Sequence, residues 1–138
     1  MRSYSQALDR LRAIGLRPTR QRLALAKLLF DGENRHITAE LLHGEASAAN
    51  VRVSLATVYN TLHQFTEAGI LREIVVDSGR SFFDTNASDH YHFFYEDERR
   101  LEDFSAEEIE IRNLPAAPNG TEIGSVDVIV RLRSGMNA

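Results

Sequence analysis

The chain has 138 residues, 43% hydrophobic and 26% charged, a globular composition with room for one medium domain or two small ones. It contains no cysteine, which excludes disulfides, thiolate zinc sites and cysteine nucleophiles and leaves any metal to His, Asp, Glu or Tyr. No apolar stretch approaches the roughly 20 residues of a membrane span, and the opening residues lead into a charged amphipathic pattern. A soluble, cytoplasmic protein with no membrane partner is therefore expected. The net charge of -4 conceals a polarity, because residues 1–75 hold ten Lys and Arg against seven Asp and Glu, and the remainder six against thirteen. A basic amino half joined to an acidic carboxyl half suits a DNA-contacting domain followed by an association or metal-binding domain.

In chain order, Leu8, Leu11 and Ile14 give residues 5–14 one apolar face, a short helix stopped by Gly15. Thr19 then caps a second helix through Phe30, with Leu23, Ala26, Leu29 and Phe30 turned inward. Thr38 caps a third, and Ile37 and Leu42 stand at the positions of a hydrophobic staple. Ser54 caps a fourth helix that closes on Gly69, with Leu55, Val58, Leu62 and Phe65 as its core stripe. Its opposite face offers Thr57, Asn60 and Gln64, with Tyr59 on the flank: hydrogen-bonding groups and one ring rather than charge. Residues 70–76 and 80–83, joined by Asp77, Ser78 and Gly79, read as a β-hairpin. Helices, a capped polar-faced helix and a hairpin in this order make a winged helix-turn-helix over residues 1–84. Residues 85–89 serve as a hinge.

Beyond the hinge, residues 90–138 read as a small α/β domain, which makes the whole chain α+β. Strands are expected over 90–95 and 100–104. A brief helix capped by Ser105 with Glu108 should end before Leu114, and a strand should cover 121–133 through the alternation of Val126, Val128, Val130 and Leu132. That last strand has an edge to pair, which a two-fold partner would cover, so a homodimer is expected.

His90 and His92 lie two apart on a strand, so both imidazoles point to one face while Tyr91 points to the other. Asp84 before them and Asp103 on the neighbouring strand add carboxylates, a mixed N/O set suited to Fe(II), Mn(II) or Zn(II). If His36 joined them, one ion would bridge the two domains. His43 and His63 read as surface residues of helices.

The segments GLRPTRQR (residues 15–22), RHITAE (35–40), VSLATVYNTL (53–62) and EAGIL (67–71) resemble the ferric uptake regulator (Fur) superfamily in order and spacing. Within it, residues 54–62, FDTN (83–86) and DVIVRLR (127–133) are most similar to the iron response regulator (Irr) branch of alphaproteobacteria. The resemblance implies a regulatory metal site on His36, Asp84, His90, His92 and Asp103. It maps a second site onto Asp89, Tyr91, Glu110 and Asp127, from which histidines common in the family are missing. The family's structural zinc site on Cys pairs is absent, with Tyr95 and Glu98 at the places of the first pair. Where Irr proteins often carry three successive histidines associated with haem, this chain has His90, Tyr91 and His92, all able to serve as axial ligands.

The resemblance also implies contacts with double-stranded operator DNA. Tyr59 would pack on thymine in the major groove, Arg17 would reach the minor groove or the backbone beside it, and Arg20, Arg22 and Arg52 would hold phosphates. Ser54 and Thr57 open the reading helix. Asn60 replaces a basic residue frequent in the family, and an amide can pair with adenine. The function implied is an Irr-like repressor of iron and haem metabolism genes that senses haem or iron. The alternative is a Fur-type regulator with Mn(II), Zn(II) or Fe(II) as corepressor. A third reading, a small metalloenzyme using His90, His92 and Asp103, meets no nucleophile motif and no glycine-rich phosphate loop in the sequence.

Overall fold

The structure, a computed structural model, describes residues 5–135 and divides in the sequence between Ala87 and Ser88 into two compact units. The first contains α1 (Ser5–Ala13), α2 (Arg20–Phe30), β1 (His36–Ile37), α3 (Ala39–Ala48), α4 (Leu55–Glu67), β2 (Arg72–Asp77) and β3 (Arg80–Asp84). Thr19, Thr38 and Ser54 are extended residues whose side chains accept the backbone N–H of Arg22, Leu41 and Thr57. Each cap satisfies a donor that the helix itself leaves open, worth about 1 kcal/mol.

Three of the helices end in one way. Leu16, Val51 and Ile70 donate backbone N–H groups to the carbonyls of Leu11, Ala46 and Phe65, each across a residue with positive φ: Gly15, Asn50 and Gly69. This Schellman arrangement throws an apolar residue back onto the core just past the helix, and Leu16, Val51 and Ile70 all pack there. Two of these stops were written as glycine; Asn50 takes the same left-handed conformation (φ 60°) without one.

The core joins Leu11, Leu25, Leu29, Ile37, Leu42, Val58, Leu62, Phe65 and Phe83. Ile37 and Leu42, the expected staple, are both fully buried. The hairpin of β2 and β3 forms as expected and gains a third strand, in the order β1-β3-β2, all antiparallel. The two residues of β1 are too few to show a period, yet they set His36 opposite Asp84 and Ile37 opposite Phe83. Thr85 and Asn86, assigned to the hinge by the sequence, are tied into this unit. The Thr85 amide donates to the Arg35 carbonyl, its hydroxyl accepts the Arg35 N–H at 2.8 Å, and the Asn86 amide donates to Asp84.

The second unit holds β4 (His90–Tyr95), β5 (Arg100–Ser105) and β6 (Ile129–Leu132), in the order β5-β4-β6. β5 runs antiparallel to β4 and β6 parallel to it, so the sheet is mixed. The helix expected after Ser105 is a single 3-10 turn, Ala106–Glu108, and Ser105 accepts from the Glu107 amide rather than completing a capping box with Glu108. A helix so short holds only if it buries an apolar face, and Ile109, Ile111 and Leu114 are exposed. Residues 109–128 accordingly form neither helix nor strand, and the expected strand over 121–133 is confined to Ile129–Leu132. Among the described residues no helix is long and apolar enough to cross a membrane.

Phe65 is 0% exposed at the centre of the first core. Phe65→Ala should therefore cost about 3–5 kcal/mol, against about 1 kcal/mol for removing a cap with Thr38→Ala. Urea melts of the full chain test this order, and equal losses would show that Phe65 is not the centre of that core.

Candidate nucleic-acid interface and metal centre

The outward face of α4 carries the expected polar groups. Asn60 is exposed, and the Ser54 hydroxyl both accepts the Thr57 amide at 3.1 Å and donates to the Thr57 hydroxyl at 2.9 Å, so the two side chains fix each other. Arg17, Arg20 and Arg52 are exposed, as phosphate-holding groups must be. Arg22 is placed differently from that expectation. Its Nε and Nη2 donate to Gln64 Oε1 at 3.2 and 3.1 Å, and its Nη1 donates to the Arg17 carbonyl at 2.9 Å. The guanidinium is thus a clamp between α2, the loop before it and α4. Beside it lies an open depression of about 440 Å³ lined by Arg17, Thr19, Gln21, Arg22, Thr57, Asn60, Thr61 and Gln64. Two cations, no carboxylate and several amides and hydroxyls line it, a surface suited to an anionic polymer with hydrogen-bonding edges.

Two further ties orient α3 and α4. His43 was read as a surface residue, but it is half-buried with Nε2 3.1 Å from the Val53 carbonyl. A carbonyl can only accept, so this nitrogen carries the proton. The Tyr59 hydroxyl donates to Glu40 Oε2 at 2.7 Å. That hydrogen bond first, then burial and the charge of Glu40, raise the phenol above its usual range, so Tyr59 stays a neutral donor. Neither Glu40 nor Gln64 was assigned a supporting role from the sequence. Each acts on a residue in another helix, which no local spacing reveals.

The metal candidates fall into two sets. In the first unit, the register of β1 on β3 sets His36 Nε2 3.2 Å from Asp84 Oδ2, while Asp84 Oδ1 accepts the Asn86 amide at 2.9 Å. Asp84 is 1% exposed, a buried carboxylate with both oxygens engaged.

In the second unit, β4 alternates as expected. His90, His92 and Phe94 are buried on one face, and Tyr91, Phe93 and Tyr95 stand half-buried on the other. Asp103 lies opposite His92 in register, and its Oδ1 is 3.3 Å from His90 Nε2 and 3.1 Å from His92 Nε2. His90 Nδ1 is 2.7 Å from the Ser88 carbonyl and must donate to it. A neutral His90 then turns the lone pair of Nε2 toward a carboxylate oxygen. Two acceptors at that distance are stable only with a positive charge between them, a proton or a metal ion.

Among the described residues Asp89, Glu110 and Asp127 do not form a convergent group of donors. Glu110 accepts from Arg112 at 2.9 and 3.2 Å. Tyr91 packs edge-on against Phe104, ring centroids 5.9 Å apart, on the face opposite His90 and His92. At the positions of the missing Cys pair, Tyr95 donates to Glu102 and lies under the guanidinium of Arg100, 3.7 Å from its ring centroid.

Residues 13–131 match the family model described as the ferric uptake regulator family. The ferric uptake regulation protein of Bordetella parapertussis is 35% identical over 108 residues, 78% of each chain. The peroxide operon regulator of Bacillus subtilis is 35% identical over 99 residues, 72% of this chain and 68% of that protein. The structure of the ferric uptake regulator from Pseudomonas aeruginosa with manganese superposes with a TM-score of 0.71 at 28% identity, covering 93% of this chain and 97% of that one. Proteins of this family regulate transcription and are not enzymes, which sets aside the metalloenzyme reading of His90, His92 and Asp103. The chain belongs to the ferric uptake regulator family.

Proposed function

We propose that the chain is a homodimeric, iron-responsive repressor that binds operator DNA in the cytoplasm in the manner of the Irr branch. Operators of iron and haem metabolism genes would be occupied when iron is scarce and released when haem or iron signals sufficiency. The observation that carries the DNA-binding reading is α4 itself. It is capped by Ser54, held by its buried stripe, and faces outward with Tyr59, Asn60 and Thr57 beside a carboxylate-free depression. Arg17, Arg20 and Arg52 hold the backbone, Ser54 and Thr57 present the helix start, and Arg22 fixes the Arg17 loop. A second copy covers the exposed Ile109, Ile111, Leu114 and Ile123, which one chain leaves in water.

The signal would enter through divalent metal held by His36 and Asp84 in the first unit and by His90, His92 and Asp103 in the second. Imidazole nitrogens and carboxylate oxygens without thiolate suit Fe(II), Mn(II) or Zn(II), and Nε2 of His90 and of His92 both face Asp103 Oδ1. Bound metal would supply positive charge to each donor set. A difference in metal affinity between two states of the protein would shift the balance between them. That donor set also supports the second reading, in which the loaded metal is a corepressor. The alternation along β4 constrains the haem alternative: haem iron would take His90 or His92 from one face, or Tyr91 from the other, but not both faces at once.

Gel shifts with and without haem, Mn(II) and Fe(II) separate the two readings. Loss of the complex with haem or iron supports the Irr-like sign, and gain of it with metal supports corepression. In a chelator-competition titration, His92→Ala and Asp103→Ala should each weaken Mn(II) binding at least about 10-fold, and Glu110→Ala should leave it unchanged. Wild-type affinity in the His92 variant would remove this site. On duplexes enriched from a random library, Tyr59→Ala should reduce preference over unselected DNA roughly 10- to 100-fold. Arg52→Ala should weaken both alike and reduce the salt slope by about 1. Equal losses on both duplexes for Tyr59→Ala would count against base reading.

A further inference from the structure

The face that reads DNA contains one acidic partner that DNA binding alone does not call for. Glu40 is exposed in the first turn of α3, and its Oε2 accepts the hydroxyl of Tyr59 from α4 at 2.7 Å. At this helix start the backbone dipole favours a negative charge, so the position suits a carboxylate for local reasons. Beside a polyanion that same charge is a cost at every sequence. Any protein built only for phosphate affinity would gain by replacing it.

We propose that Glu40 is a selectivity-determining residue of the DNA face, holding the Tyr59 hydroxyl so that the ring presents its carbon edge to a base, while opposing contacts that gain only from phosphates. This rests on the DNA-binding reading above and names how that surface discriminates. The geometry gives the hydroxyl a fixed acceptor inside the protein, so it has no need to seek a phosphate oxygen. The ring, half-buried against the core cluster with the His63 ring centroid 6.3 Å away, is left with few orientations. A fixed apolar edge distinguishes a thymine methyl from the other groups lining the major groove, whereas a free phenol would hydrogen-bond to whatever acceptor it met. The carboxylate's charge lowers affinity for every duplex alike, so it limits non-specific binding while the held ring supplies the discrimination.

The test uses the full chain as wild type, Tyr59→Phe, Glu40→Gln, Glu40→Ala and the double variant Tyr59→Phe/Glu40→Ala. Duplexes enriched by the wild type from a random library are compared with the unselected pool. Tyr59→Phe and Glu40→Ala should each lower the preference for enriched over unselected DNA roughly 5- to 10-fold, the scale of one hydrogen bond, and the double variant should lose no more than either alone. Glu40→Gln and Glu40→Ala should both bind unselected DNA more tightly at low salt, a gain that fades as salt screens the charge. Glu40→Gln should keep more of the preference, because its amide oxygen still accepts the phenol. Thermal melting of Tyr59→Phe, which changes no packing, should match wild type. Unchanged preference in Tyr59→Phe and Glu40→Ala, or losses that add in the double variant, would overturn the proposal while leaving DNA binding intact. Failure of the wild type to enrich any duplex would instead overturn the DNA-binding reading, and this proposal with it.

Discussion

The first unit depends on one stripe of side chains. Val58, Leu62 and Phe65 on α4 are fully buried against Leu25, Leu29, Leu42 and Phe83, drawn from α2, α3 and β3. Burial of this kind is non-directional, so by itself it would hold α4 in the core without fixing which residues face outward. The caps and the Schellman ends supply that direction. Ser54 sets where the helix begins, Gly69 sets where it stops, and the three-residue period between them leaves Thr57, Asn60 and Gln64 outside. Any contact of α4 with DNA depends on that rotation.

The second constraint is electrostatic. In each unit a carboxylate stands against an imidazole: Asp84 against His36, and Asp103 against both His90 and His92. The Ser88 carbonyl holds a proton on His90 Nδ1 and leaves Nε2 facing the Asp103 carboxylate. Both sets join imidazole nitrogens to carboxylate oxygens, donors that suit a compact divalent cation. That Asp84 also accepts the Asn86 amide connects this chemistry to the backbone just before the division between the units.

Much of this was legible in the sequence, and for identifiable reasons. Helices α1 to α4 carry apolar residues at helical spacing and begin or end on residues whose side chains act locally, Thr19, Thr38, Ser54, Gly15 and Gly69. The pairing of His90 with His92 follows from the two-residue period of a strand. What was not legible depends on distant partners. Strand β1 exists only because β3 offers it a neighbour, and the clamp of Arg22 on Gln64 joins residues 42 apart in the chain. Residues 109–128 mislead in the other direction. Ser105 and Glu108 supply the local signal of a helix, but one chain gives Ile109, Ile111 and Leu114 nothing to pack against. Local propensity is a weak prior where burial is missing.

These ties share a consequence for recognition. The excess of Lys and Arg in residues 1–75, ten against seven Asp and Glu, supplies attraction to phosphates without reading sequence, so discrimination has to come from geometry. The groups on the α4 face are largely committed before DNA arrives: Ser54 to Thr57, Arg22 to Gln64 and to the Arg17 carbonyl, Tyr59 to Glu40. Each commitment removes side-chain freedom that binding would otherwise have to freeze, at about 0.5–1.5 kcal/mol per long side chain. It also removes donors that could attach to phosphate indiscriminately. Asn60 is left as an exposed amide on this rigid frame, and an amide reads an adenine edge only when its own position is already decided. A preordered face lowers the ordering cost of the contacts it makes, and does so most where its fixed groups match what they meet.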